Sequence, residues 1–202
     1  MEKEEAAIRQ FMYDNAWNDY RDDATGEVNY TLLAEAAAEE FDIPEDSDGI
    51  PDYVYDLAVD FDRSFIIIDG EEIDDPEVNT YGDVLSIRKG EREYNLFRSR
   101  KEAGEAAREY WEDLAENDPS EFIAIVGEDT LVQWALGRYA GPGSTTVNSL
   151  EDWLDLWLDT PEEEFARYDG TESTVDYISP ALLNELDWDE SDAEEAVAYR
   201  HN

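Results

Sequence analysis

The chain has 202 residues, 42% hydrophobic and 12% aromatic with 6 Trp, which is enough apolar material for one domain, or one domain plus a small appendage, and excludes a disordered acidic chain. Its 55 acidic against 14 basic residues leave a formal charge of −41, matching the phosphates of about 20 base pairs of duplex. Nucleic acid and anionic membranes are therefore repelled at long range, and a basic partner is attracted.

Residues 1–62, 63–148 and 149–202 each carry a large acidic excess, unlike a terminal acidic tail. The absence of cysteine excludes a disulfide framework and thiolate chemistry. No run approaches the roughly 18 apolar residues of a membrane span, and the MEKEEAA start lacks the basic region of a signal peptide. The expected location is the cytoplasm (that of a host cell, if the chain is phage-encoded).

In chain order, residues 2–20 read as a helix with Ile8, Phe11 and Met12 on one face. Tyr13, Trp17 and Tyr20 form a second line at i, i+4 and i+7, assigned to the core, with an exposed recognition stripe as the alternative. Asn29 or Thr31 can cap a second helix, TLLAEAAAEEF, that ends before Pro44. A third follows Pro51, with Tyr53 or Val54, Leu57, Ala58 and Phe61 facing inward. This pair has the order of a helix-turn-helix, but a DNA-reading helix needs basic or amide side chains. It carries Asp52, Asp56, Asp60 and Asp62 instead, so DNA readout is rejected.

The loop between them fails as a calcium-binding EF-hand. With Gly49 at position 6, Asp46 and Asp48 fall at positions 3 and 5, but Pro44 and Tyr55 stand where carboxylates are required.

From Arg63 the pattern changes. SFIIID reads as a buried strand near 64–69, DDPEVNTYGD as a loop, and VLSIRKGEREYNLFRS as a hairpin with strands near 84–89 and 92–98. Arg88, Lys89, Arg92, Arg98, Arg100 and Lys101 form a basic island: an internal counter-charge, an edge-strand guard or a second contact surface. A helix near 101–116 places Ala103, Ala106, Ala107, Tyr110, Trp111 and Leu114 on one face. EFIAIVG is open between strand and helix, since a run of that length has no decisive period. A helix follows near 128–138. The loop AGPGSTT lacks the spacing and the lysine of a phosphate-binding loop.

Ser149 to Tyr168 is the most strongly patterned stretch. Leu150, Trp153, Leu154, Trp157 and Leu158 make one apolar stripe, predicting a helix over 149–158 that buries it. Glu151, Asp152, Asp155 and Asp159 fall off the stripe and face water. Ser149 and Asp152 make a capping-box pattern, and Thr160, Pro161 and Glu163 start another helix near 161–167. Then YDGTESTVDYI reads as a turn and short strand, Pro180 opens a helix, and Val197 and Tyr199 place a final strand against the sheet.

Catalytic chemistry finds little footing. The single histidine, His201, is penultimate, which excludes histidine-rich zinc sites and leaves one residue for any nucleophilic triad. Paired carboxylates or a magnesium site survive, with Asp69–Glu77 as the best local run. Chance clustering accounts for it among 55 acids. The chain is not expected to be an enzyme, and no cofactor motif or dedicated metal site resolves.

Small size, lack of cysteine, charge density and carboxylate-lined helices such as 149–158 and 101–117 resemble the DNA-mimic anti-restriction and anti-CRISPR proteins of phages and mobile elements. That resemblance is to the class and carries over no single residue. It implies a protein that occupies the basic cleft of a DNA- or RNA-binding defence or DNA-metabolism protein and inhibits it by competition. Glu151, Asp152, Asp155, Asp159, Glu162, Glu163 and Glu164 are the partner-binding residues expected first. Two alternatives stand: a haloarchaeal cytosolic protein adapted to salt, and an acidic adaptor or assembly protein. The expected fold is α+β: an N-terminal helical unit over 1–62, then an α+β domain over 63–202 with a small, mostly antiparallel sheet packed by acidic amphipathic helices.

Overall fold

The computed structural model describes residues 3–22, 24–45, 49–81, 84–126 and 171–201. They form an α+β fold whose strands pair antiparallel. The chain divides into two compact units, Met1–Glu77 with Thr174–Glu194, and Val78–Ser173 with Glu195–Asn202.

The first unit begins with α1 (Lys3–Asp19), α2 (Tyr30–Glu40) and α3 (Asp52–Val59). Asn29 supplies the N-cap of α2, its side-chain oxygen accepting from the Leu32 N–H at 3.2 Å. A shared core holds the three helices, with Ile8, Met12, Leu33, Val54, Leu57 and Phe61 among its buried members. Full burial of each such side chain stabilises by about 1.5–3 kcal/mol. Along α1 the buried line is Ile8, Met12 and Ala16, at i, i+4 and i+8. Trp17 lies one residue past that line, so it is exposed rather than core, touching Phe61 only edge-on at 5.6 Å. Tyr13 and Tyr20 are half-buried at the margin of the same core.

β1 (Phe65–Ile68) pairs on one side with β2 (Glu71–Asp74) and on the other with β6 (Thr171–Ile178). Asp69 and Gly70 make the two-residue turn between β1 and β2, both with positive φ, at 51° and 73°. That is the Asp-Gly hairpin turn whose twist matches the flanking strands. The segment DDPEVNTYGD, read as a loop, holds the last residue of β2 and a further strand. β2 follows the turn, and Val78, Thr80 and Tyr81 have the β-branched and aromatic character that suits the next strand, β3 (Glu77–Tyr81). α6 (Pro180–Leu186) packs on α1 and β1 and buries Leu182, Leu183 and Leu186. The short α7 (Glu190–Glu195) opens with a reciprocal cap, Asp192 N–H donating to Asp189 Oδ1 at 2.9 Å and Asp189 N–H to Asp192 Oδ2 at 3.0 Å.

In the second unit, β3, β4 (Val84–Lys89), β5 (Arg92–Phe97) and β7 (Val197–His201) run in the order β7-β5-β4-β3. Gly90, with φ at 60°, begins the two-residue turn joining β4 to β5. α4 (Arg100–Asn117) sets Ala103, Ala107, Trp111 and Ala115 into a core with Phe97, Phe122, Val197 and Tyr199. Tyr110 is exposed instead of lying on this face, with its ring edge against Trp111 at 5.0 Å. The EFIAIV segment settles as a helix, α5 (Pro119–Val126). Pro119 sits at its first position and the Asp118 side chain accepts from Glu121 N–H at 3.0 Å. The helices expected near 128–138, 149–158 and 161–167 lie outside the described residues.

Candidate partner-binding surface

Between Arg21 and Arg63 the chain has no basic residue and 14 carboxylates. This segment builds α2 and α3, and both helices solve the same problem: bury a narrow apolar face and turn everything else to water. On α3, Val54, Leu57 and Ala58 are buried, and Phe61, just past its end, continues their i, i+3, i+4 and i+7 spacing. Asp52, Tyr55, Asp56 and Val59 have the same spacing offset by two residues, which puts them on the opposite side, and all four are exposed. On α2, Leu33, Ala34, Ala37 and Ala38 are buried while Leu32, Glu35 and Glu39 face outward.

The surface is not uniformly polar. Leu32, Tyr53, Tyr55 and Val59 are each between 43% and 49% exposed. With Trp17 and Tyr30 they make up 6 of the 7 large apolar side chains that stand exposed among the described residues. On α3 the exposed Tyr53 and Tyr55 stand beside the exposed carboxylates Asp52 and Asp56.

Elsewhere the cations are engaged. Arg9 is 9% exposed, donates to the Asp60 carbonyl at 3.3 Å, lies 3.7 Å from Glu5, and sits 5.3 Å over the Phe65 ring. Arg63 stands 4.6 Å over the same ring, pairing with Glu72 and, at 3.2 Å, with Asp74. The basic island supplies internal counter-charge: Arg88 pairs with Glu93 at 3.2 Å, Lys101 with Glu105 at 3.2 Å, and Arg100 with Glu172 at 2.9 Å. Asp52 and Asp56, by contrast, have no ion pair among the described residues.

Local fields act on three groups. Backbone N–H donors of Thr25 and Ala24 hold the Asp22 carboxyl below its ordinary value. Burial, with Glu185, Asp14 and Asp62 nearby, raises the Tyr13 phenol. Burial pushes Tyr177 up to about 12 against a smaller opposing pull from Arg9, and its hydroxyl has no hydrogen-bond partner among the described residues.

The run at Asp69–Glu77 works structurally. Asp69 Oδ1 accepts from Thr174 N–H at 2.8 Å, and Gly70 N–H donates to Asp176 Oδ2 at 2.6 Å. Among the described residues no group of three acids or histidines is placed to hold a metal. A cleft of about 360 Å³ in the first unit mixes Lys3 with Asp176, Glu190 and Glu194, so its lining is also net acidic. No described helix is long and apolar enough to cross a membrane.

Glu151, Asp152, Asp155, Asp159, Glu162, Glu163 and Glu164 all lie outside the described residues, as do Asp46 and Asp48. Periodicity alone does not single out the α2–α3 face, because Tyr53 and Val54 compete for the same inward position in the sequence. The signal available was the length of chain without a single base. No protein-family model, no curated protein and no solved structure matches the chain.

Proposed function

We propose that this protein is a nucleic-acid mimic, which occupies the basic cleft of a DNA- or RNA-binding protein of host defence or DNA metabolism and inhibits it by competition. The observation that carries the reading is the α2–α3 face, where Glu35, Glu39, Asp52 and Asp56 stand exposed in a segment with no base. Carboxylates fixed on helices at intervals of a turn offer a basic cleft an anionic array in place of phosphates. Attraction between the two surfaces is long-range and weakens as salt screens both.

The test is competition. Basic nucleic-acid-binding enzymes retained by the immobilised chain are loaded with labelled duplex or guide-bound substrate, and unlabelled chain is titrated in. The mimic displaces substrate, with an apparent affinity that falls as KCl rises. Two multiple variants locate the contact: Glu35→Gln/Glu39→Gln/Asp52→Asn/Asp56→Asn, and the seven-residue neutralisation of the 151–164 carboxylates. Single exposed pairs are worth at most about 1 kcal/mol, so only combined changes should weaken inhibition by about tenfold or more. If no retained enzyme yields its substrate to the chain, the mimic reading fails.

One further reading has its own support. There are 3 lysines against 11 arginines, and every described helix carries an acid, as salt adaptation would require. Thermal unfolding against KCl separates the two. A salt-adapted chain loses its fold in dilute buffer as carboxylate repulsion goes unscreened, whereas a mimic from an ordinary host keeps it.

A further inference from the structure

We infer that the outer face of α3 is a docking stripe for an arginine-bearing segment of a basic protein, selecting guanidinium over ammonium. This rests on the reading that the partner is a basic protein, and it names the face and the side chain that would be read.

The stripe is Asp52, Tyr55, Asp56 and Val59, all exposed on an 8-residue helix whose opposite side is core. Residues three and four apart on a helix are neighbours, about 5–6 Å between their Cβ atoms. Asp52 therefore adjoins both Tyr55 and Asp56, Tyr55 adjoins Val59, and Tyr53 adjoins Asp56 from the flank. Each ring has a carboxylate within one turn, and no cation of the chain occupies either Asp among the described residues.

A guanidinium answers this arrangement twice. Its planar fork takes a carboxylate in a bidentate pair, and its face stacks on a tyrosine ring. An ammonium is a compact, strongly hydrated charge that can use the carboxylate but gains less from the ring. The aliphatic stem of the arginine has Val59 to cover. Charge complementarity settles the class of occupant: a segment carrying 14 carboxylates and no base repels nucleic acid and attracts cationic protein.

The probes are two synthetic helical peptides of equal length and charge, one with arginines at i, i+4 and i+8, the other with lysines there. Each is titrated into the full chain, with affinity read by calorimetry and position by backbone amide resonances. The arginine peptide should bind about fivefold tighter or more, and the resonances that move should centre on Asp52–Val59. Tyr55→Ser/Val59→Ser leaves the charge untouched. It should abolish the preference for arginine, leave lysine-peptide affinity as in the parent, and keep the melting temperature. Should that variant fail to fold, resonance mapping on the parent decides. Equal affinity for the two peptides, or shifts centred away from α3, overturns the inference. If shifts lie elsewhere while the chain still displaces duplex from a basic enzyme, the mimic reading stands without this stripe. If α3 shifts with the arginine preference while no enzyme yields its substrate, the stripe stands and the mimic reading falls.

Discussion

A single oxygen, that of the Ser179 side chain, ties β1 to the start of α6. It accepts from the Phe65 N–H at 2.9 Å and from the Leu182 N–H at 3.3 Å, so one oxygen serves a strand and a helix cap together. The site is buried: Ser179 and Phe65 are each 1% exposed and Leu182 is 0%. Ser179→Ala deletes that oxygen without disturbing the backbone bond from Ser179 N–H to the Phe65 carbonyl at 3.0 Å. Losing a serine cap costs about 1 kcal/mol. Leaving a buried N–H without an acceptor costs about 1–3 kcal/mol. The sum is about 2–4 kcal/mol, a large share of the roughly 5–15 kcal/mol by which a protein is stable. Urea unfolding followed by circular dichroism should show it as a lower midpoint at unchanged slope. Ser179→Thr retains the acceptor and should lose less than half as much. A Ser179→Ala loss under about 1 kcal/mol would refute the reasoning, because water or a neighbouring carbonyl would then be serving both donors.

Trp111→Ala should destabilise the second unit by about 3–5 kcal/mol, since its ring is 3% exposed and stands 5.9 Å from Phe122; a calorimetric loss below about 1.5 kcal/mol would mean the core closes over the gap. The Tyr177 phenol should ionise well above the ordinary tyrosine value, because burial lifts it from 10.0 to about 12. The folded state then keeps a proton that the unfolded chain releases, so this stabilisation is whole below pH about 10 and is lost as pH rises towards 12. The step missing from the tyrosinate absorbance titration of Tyr177→Phe should lie above the main transition, and a missing step at the ordinary value would refute the assignment.

The helices were legible because their periods are unambiguous. In α3, Val54, Leu57 and Ala58 leave one choice of inward face, and in α4 the alanines and Trp111 do the same. The β3–β4–β5 region was half legible. Lys89-Gly90 marks one hairpin there, whereas the Asp69-Gly70 turn, between β1 and β2, is masked in the sequence by a run of acids that has the composition of a ligand cluster. Those acids are turn and pairing residues: Asp69 accepts from Thr174 N–H, while Glu72 and Asp74 hold Arg63. Tyr53, Tyr55 and Tyr110 show the limit of periodicity. A ring one position off the core stripe has the same sequence signature as one on it, and only packing decides. The α2–α3 face was legible as charge and illegible as a site, since carboxylates are dense in all three segments of the chain and density alone singles out none.

Those exposed rings also bear on which explanation of the acidity is better. A salt-adapted surface works by binding water and cations through carboxylates, and an apolar side chain in that shell contributes nothing to it. Five of these large apolar groups, Tyr30, Leu32, Tyr53, Tyr55 and Val59, lie in the segment between Arg21 and Arg63 that has no base, and salt adaptation alone leaves them unexplained. A contact surface accounts for both components. The carboxylates bring a cationic partner in from a distance, and the rings supply apolar area, worth about 25 cal/mol per Å² covered, once it has arrived. The two components also respond oppositely to salt. Screening weakens the attraction of exposed charges, while excluded salts such as sulfate strengthen apolar burial. A complex formed on this face should thus lose association rate steeply with KCl while its dissociation rate changes much less. A purely electrostatic mimic would lose on both, so the ratio of the two salt dependences measures how much of the contact the tyrosines carry.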